Sequence, residues 1–158
     1  MKKNYLDTNI LVAAFSDADS DKENKKLVEQ VFDTFSQLKD VELWSSMWAI
    51  TEMVKALIAN QKMKAGDAAL VERDFVNEAR LYGLKIRFAD VSPDSDYDFK
   101  EFFFHIRQAI LLNNSGVGDT IHSVIMKNNS ISHILTFDVS DYATIPNLTV
   151  MDPKNIKF

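Results

Sequence analysis

The chain has 158 residues, 46% hydrophobic and 26% charged, with a net charge of −5, which most simply makes one domain, residues 1–158, with a sizeable core. It contains no cysteine, which excludes a disulfide framework, a thiolate zinc site and a cysteine nucleophile. The negative balance argues against broad nonspecific nucleic-acid binding, but it leaves room for a nucleic-acid substrate, because bound metal ions and local basic patches act beneath the total.

Lys2 to Leu6 reads as a short strand, Asp7-Thr8-Asn9 as its exit and Ile10 to Phe15 as a short helix. Asp17 to Asp21 is polar and turn-like. Leu27, Val28, Val31, Phe32, Phe35 and Leu38 recur at helical spacing and predict an amphipathic helix over roughly Asp21 to Lys39. Val41 to Trp44 is a short strand. Ser45 or Ser46 is positioned to cap a helix running to Ala59, with Ile50, Val54, Leu57 and Ile58 as its apolar stripe. Lys64 to Tyr82 is predicted helical, with Gly83 as its stop. Leu84, Ile86 and Phe88 alternate with Lys85 and Arg87 and predict a half-buried strand, Leu84 to Val91. Beyond Pro93-Asp94-Ser95-Asp96, the Phe-rich stretch Tyr97 to Leu112 predicts a helix and Asn113 to Gly118 a loop. A helix over Asp119 to Lys127, a strand over His133 to Phe137, a loop over Asp141 to Pro146 and a last strand over Leu148 to Met151 complete the chain.

Strands alternating with helices predict an α/β domain: a parallel, doubly wound sheet with helices on both faces. Ligands of such sheets bind beyond the carboxyl ends of the strands, near the switch in strand order. No apolar run approaches the roughly 18 residues that span a bilayer. Met1-Lys2-Lys3-Asn4 leads at once into a short apolar run rather than the apolar core and cleavage site of a signal peptide. The expected compartment is the cytoplasm, without membrane association.

Four acids stand in distinctive settings. Asp7 lies in Tyr5-Leu6-Asp7-Thr8-Asn9-Ile10-Leu11, and Asp138 in Ile134-Leu135-Thr136-Phe137-Asp138, each after an apolar run. Glu52 (Ile50-Thr51-Glu52-Met53-Val54) and Asp119 (Gly118-Asp119-Thr120-Ile121-His122) lie at helical spacing. An acid at the end of a core strand is costly unless something compensates it. Four such acids converging have a common physical explanation in a divalent cation, and hard oxygen ligands suit Mg²⁺ or Mn²⁺ rather than Zn²⁺.

On these residues the chain resembles PIN-domain ribonucleases, of the kind that includes VapC-type toxins of toxin–antitoxin pairs. Leu6-Asp7-Thr8-Asn9-Ile10-Leu11 matches the opening motif. Glu52 matches the second acid, early in a helix, and Asp119 the third, opening a late helix. Thr136-Phe137-Asp138 matches the Thr-x-Asp signature of the fourth, and Asp141-Tyr142 stands where an Asp-aromatic pair often follows. The resemblance spans residue 5 to about 152. It implies a single PIN-like domain and a metal-dependent endoribonuclease. Asp7, Glu52, Asp119 and Asp138 would be both the catalytic residues and the ligands of Mg²⁺ or Mn²⁺. Asn9 and Thr136 would fix the carboxylates by hydrogen bonds, with Asp141 an additional outer acid. The partners implied are an RNA substrate, an antitoxin protein and a second copy in a homodimer.

The sequence departs from the pattern at Thr120, Ile121 and His122, and Phe137 and Val139 flank Asp138 where a basic residue is usual. These departures leave the substrate contacts unassigned. An aspartate-nucleophile phosphatase would need Asp where Asn9 stands. The alternative is a PIN-fold RNA-binding or scaffold module without catalysis.

Other motifs read as structural. Asp94, Asp96 and Asp98 open like a calcium loop, but Phe99 replaces its glycine and His105 its final Glu. His105, His122 and His133 show no metal spacing. Lys55 is expected to pair with a nearby acid. Phe99, Phe102, Phe103 and Phe104 fit equally a partner contact or a helix buried on two faces. Like charges around the site predict that Asp7→Asn stabilises the metal-free protein.

Overall fold

The computed structural model describes residues 1–156. Strands β1 (Lys2–Leu6), β2 (Val41–Ser46), β3 (Arg80–Leu81), β4 (Leu84–Ala89), β5 (His133–Leu135) and β6 (Thr149–Met151) form one sheet in the order β3-β4-β2-β1-β5-β6. β1 pairs in parallel with β2 and β5, β2 with β4, and β5 with β6. β3 runs antiparallel to β4, so the sheet is mostly rather than wholly parallel. The helices are α1 (Thr8–Phe15), α2 (Lys22–Ser36), α3 (Met47–Ala59), α4 (Ala65–Glu78), α5 (Phe99–Asn113), α6 (Val117–Asn128) and the one-turn α7 (Val139–Tyr142). Among the described residues no helix is long and apolar enough to cross a membrane.

Helices cover both faces because neighbouring strand residues point opposite ways. Leu6 and Leu135 pack with Ile10, Phe32, Met53 and Phe75 of α1 to α4. Tyr5 and Ile134 pack with Phe102, Ile106, Ile121 and Ile125 of α5 and α6 on the other face. Burial on both sides is why β1 ends in three consecutive buried residues, Asn4, Tyr5 and Leu6. The chain leaves β1 toward β2 on one side and leaves β5 toward β6 on the other. The crevice between the carboxyl ends of β1 and β5 is therefore the topological switch point. The register sets Leu6 beside Leu135, and the Asp7 N–H donates to the Leu135 carbonyl at 3.1 Å. Asp7 and Thr136 thus leave adjacent strands side by side.

Several element ends differ from the sequence expectation. α2 stops at Ser36, and Leu38 is 46% exposed instead of closing the apolar stripe. α4 stops at Glu78, because Ala79 adopts a left-handed conformation (φ 47°) with its N–H on the Phe75 carbonyl. Gly83 does not stop that helix: Tyr82 (φ 48°) and Gly83 (φ 78°) form the two-residue turn of the β3–β4 hairpin, which requires positive φ at both positions. α6 begins at Val117 with Gly116 as its cap, so Asp119 sits inside the first turn rather than opening the helix. β5 is shorter than predicted, and α7 replaces the start of the expected loop.

Candidate active site

At the switch point the Asp7 carboxylate is 5% exposed and held on both oxygens. Oδ1 accepts from the Thr8 N–H (2.8 Å) and the Tyr142 hydroxyl (3.2 Å). Oδ2 accepts from the Thr136 hydroxyl (2.7 Å) and Asn9 Nδ2 (3.2 Å). Asp7 is itself the cap of α1. Asn9 ties the site together. Its Nδ2 also reaches Thr136 Oγ1 (2.9 Å) and Asp138 Oδ2 (3.0 Å), and its Oδ1 accepts from the Phe137 N–H (3.2 Å). Thr136 Oγ1 accepts in turn from the Asp138 N–H at 3.0 Å. Asn9 and Thr136 thus sit where groups that orient Asp7 and Asp138 must sit.

Glu52 reaches the cleft from α3, which starts at the Ser46 cap. Its Oε2 accepts from the Thr8 hydroxyl (2.7 Å) and from His122 Nε2 (2.7 Å). His122 lies one turn beyond Asp119 on α6 and is 1% exposed, with Nε2 3.6 Å from Asp7 Oδ1. Asp7, Glu52, Asp119, Asp138, Asn9 and His122 all line one cleft of about 750 Å³. Asp141 stands outside that lining, close enough for its charge to act on Asp119. A second cleft of about 600 Å³, between α5 and α6, is lined by residues such as Ala109, Leu112, Val124 and Leu148 and has no carboxylate among its lining residues.

The charges are strongly coupled. Burial raises the Asp7 pKa, against the opposing pull of His122 and the hydrogen bonds from Thr136, Thr8 and Tyr142. Burial also works to raise that of Glu52, but the bonds from His122 and Thr8, with the nearby charge of Lys55, carry the net shift downward. Asp119 is pushed up to about 6, first by burial and then by Asp141, Asp7 and Glu52. Burial and the Asp7 charge raise the Tyr142 hydroxyl, which keeps it a donor.

A hard divalent cation suits this donor chemistry, because the ligand candidates are all carboxylate oxygens whose mutual repulsion it would relieve. The geometry is more open: among the described residues no three Asp, Glu, His or Cys side chains close around one point as a metal cage.

The sequence reading gave no role to Tyr5, took Ser46 only as a helix cap and Tyr142 only as the aromatic after Asp141, and set His122 aside. The available signals were the spacing of three between Asp119 and His122 and the tyrosine following Asp141. Lys55 lines the cleft and forms no ion pair within 4 Å among the described residues, so the expected pairing with a neighbouring acid is absent.

Strand order and a switch-point cleft define this chain as an α/β domain with the fold of PIN-domain, VapC-like proteins. No family model matches it, and no curated protein does. Among solved structures it is similar to VapBC-1 from nontypeable Haemophilus influenzae, with 15% identity, 97% of this chain and 99% of that chain covered, and a TM-score of 0.62. It is likewise similar to FitAcB from Neisseria gonorrhoeae (16%, 97% and 99%, TM-score 0.58). A toxin–antitoxin complex from Klebsiella pneumoniae also matches (14%, 97% and 99%, TM-score 0.56). At these identities the likeness is one of fold.

Proposed function

We propose that this chain is a divalent-metal-dependent endoribonuclease that hydrolyses RNA phosphodiester bonds, and that it is the toxin of a toxin–antitoxin pair. The observation that carries this reading is the buried Asp7 carboxylate, fixed by four donors at the switch point with Asp138, Glu52 and Asp119 around the same cleft. A fold built for structure alone has no use for four acids in one crevice. The similarity to VapBC-1 and to a complex named as toxin–antitoxin supports the biological half of the proposal.

Mg²⁺ or Mn²⁺ held by Asp7, Asp119, Asp138 and Glu52 would lower the pKa of an attacking water and neutralise charge developing on the phosphate. The chain's own residues do the rest. Asn9 and Thr136 lock Asp7 and Asp138 into one arrangement, and Tyr142 keeps Asp7 Oδ1 oriented. Glu52, bound through Oε2, receives no hydrogen bond on Oε1 among the described residues, which leaves that oxygen free to orient water. Lys55, one turn along α3, is available to a phosphate.

Partner contacts need an apolar surface, and α5 provides one. Phe102 is buried, whereas Phe99, Phe103 and Leu111 are 72%, 53% and 78% exposed at spacings of four and eight residues. The helix therefore buries one face, and the other is proposed to meet a second copy of the chain or the antitoxin.

One observation favours a second reading, a PIN-fold RNA-binding or scaffold module without catalysis: the acids line the cleft without closing around a point. Calorimetric titration of Mg²⁺ and Mn²⁺, followed by incubation with single-stranded and structured RNAs, separates the two. Metal uptake with EDTA-sensitive cleavage supports the nuclease; RNA binding with neither supports the module.

A further inference from the structure

His122 is buried where the sequence pattern assigns nothing, and both ring nitrogens have specific partners. Nδ1 lies 2.8 Å from the Tyr5 hydroxyl, itself 2.6 Å from Ser46 Oγ, which accepts from the Ala49 N–H at 3.2 Å. Nε2 lies 2.7 Å from Glu52 Oε2. With Glu52 ionised, two bare acceptors stay out of contact only if Nε2 carries a hydrogen and Glu52 receives it. The chain of bonds thus runs from the start of α3, through the core of β1, to α6 and back to α3 at Glu52.

Gly118 completes the arrangement from the other side. A Cβ at that position would come within 2.9 Å of Glu52 Oε1, closer than such contacts allow. Glu52 is therefore clamped on one oxygen and given room on the other. Stability alone does not demand this, because matched apolar replacements of buried polar networks are often neutral. A network of this kind imposes a single geometry.

We propose that His122 is a positioning residue of the reaction: anchored by Tyr5 and Ser46, it fixes Glu52 through Oε2, while Gly118 keeps Oε1 open for the reacting water. The proposal rests on the ribonuclease reading above.

The test compares wild type with Gly118→Ala, Tyr5→Phe, His122→Gln and His122→Ala. Three readouts are taken: melting temperature, kcat and KM for Mn²⁺-supported RNA cleavage, and, without metal, the imidazole N–H resonance of His122. Gly118→Ala is decisive because alanine is the better helix former, so the fold is retained. Its expected result is an unchanged or raised melting temperature, a kcat lower by about tenfold or more with KM within about twofold, and a shifted His122 resonance. Tyr5→Phe, which deletes one hydroxyl, should lower kcat by roughly three- to tenfold. His122→Gln, which keeps an N–H for Glu52, should retain more activity than His122→Ala. Wild-type activity in Gly118→Ala and Tyr5→Phe, or losses that track melting temperature, would overturn the proposal alone. A wild type that neither binds Mn²⁺ nor cleaves RNA would overturn the ribonuclease reading and this proposal with it.

Discussion

Asp119→Asn removes the acid of the cluster that is most crowded by like charge and receives no hydrogen bond among the described residues. Its carboxyl is pushed from 3.8 up to about 6. Two units at roughly 1.4 kcal/mol each would be about 3 kcal/mol for a dry site. The side chain is half-buried, so solvent screening reduces this to about 1 kcal/mol. The stability contributed by the raised pKa is fully present below pH 3.8 and is lost as the pH rises through about 6. The neutral variant escapes that loss. In EDTA, Asp119→Asn should therefore melt about 2–4 °C above wild type at pH 8. The gap should narrow toward pH 4 and shrink in 0.5 M KCl. Paired thermal melts from pH 4 to 8 give the answer. A variant that melts at or below wild type at pH 8, or a gap independent of pH, would refute the electrostatic reasoning.

Asp7→Asn should do the opposite of what charge alone suggests. An amide nitrogen would replace an oxygen that now accepts from two donors, so urea unfolding in EDTA should show a loss of about 1–3 kcal/mol. Thr136→Val deletes the donor to Asp7 and the acceptor used by Asn9 and the Asp138 N–H. It should lose about 2 kcal/mol in the same assay and lower the single-turnover cleavage rate by about tenfold or more. Phe103→Glu places a charge on the exposed face of α5. With a second copy of the chain as the partner of that face, light scattering should show a dimeric wild type and a monomeric variant whose melting temperature is within about 2 °C, as expected for a surface change.

Legibility in the sequence followed how local the cause was. β1 was readable because its apolar run is bounded by an acid, and α3 because Ser46 caps it. The β3–β4 hairpin was hidden because Arg80 to Leu81 is too short to show a period, and Gly83 after a helical stretch looks the same as a helix stop. Asp7, Glu52, Asp119 and Asp138 could be singled out because each carries a local motif, and the structure brings them to one cleft. What His122, Tyr5 and Tyr142 do was not legible, because their roles depend on partners between 41 and 135 residues away. A buried histidine or tyrosine reads as core until the fold supplies the acid it touches. The exposure of one side of α5 was equally invisible, since four phenylalanines in six residues suit either a core or an interface.

The central claim is that the cleft is a metal-dependent nuclease centred on Asp7. It is tested most directly by single-turnover cleavage of end-labelled RNA with wild type plus Mn²⁺, wild type plus EDTA, and Asp7→Asn plus Mn²⁺, with circular dichroism confirming that the variant is folded. The account predicts discrete internal cuts in the first reaction alone. Equal cleavage in all three, or none in any while the wild type binds no Mn²⁺, would contradict it.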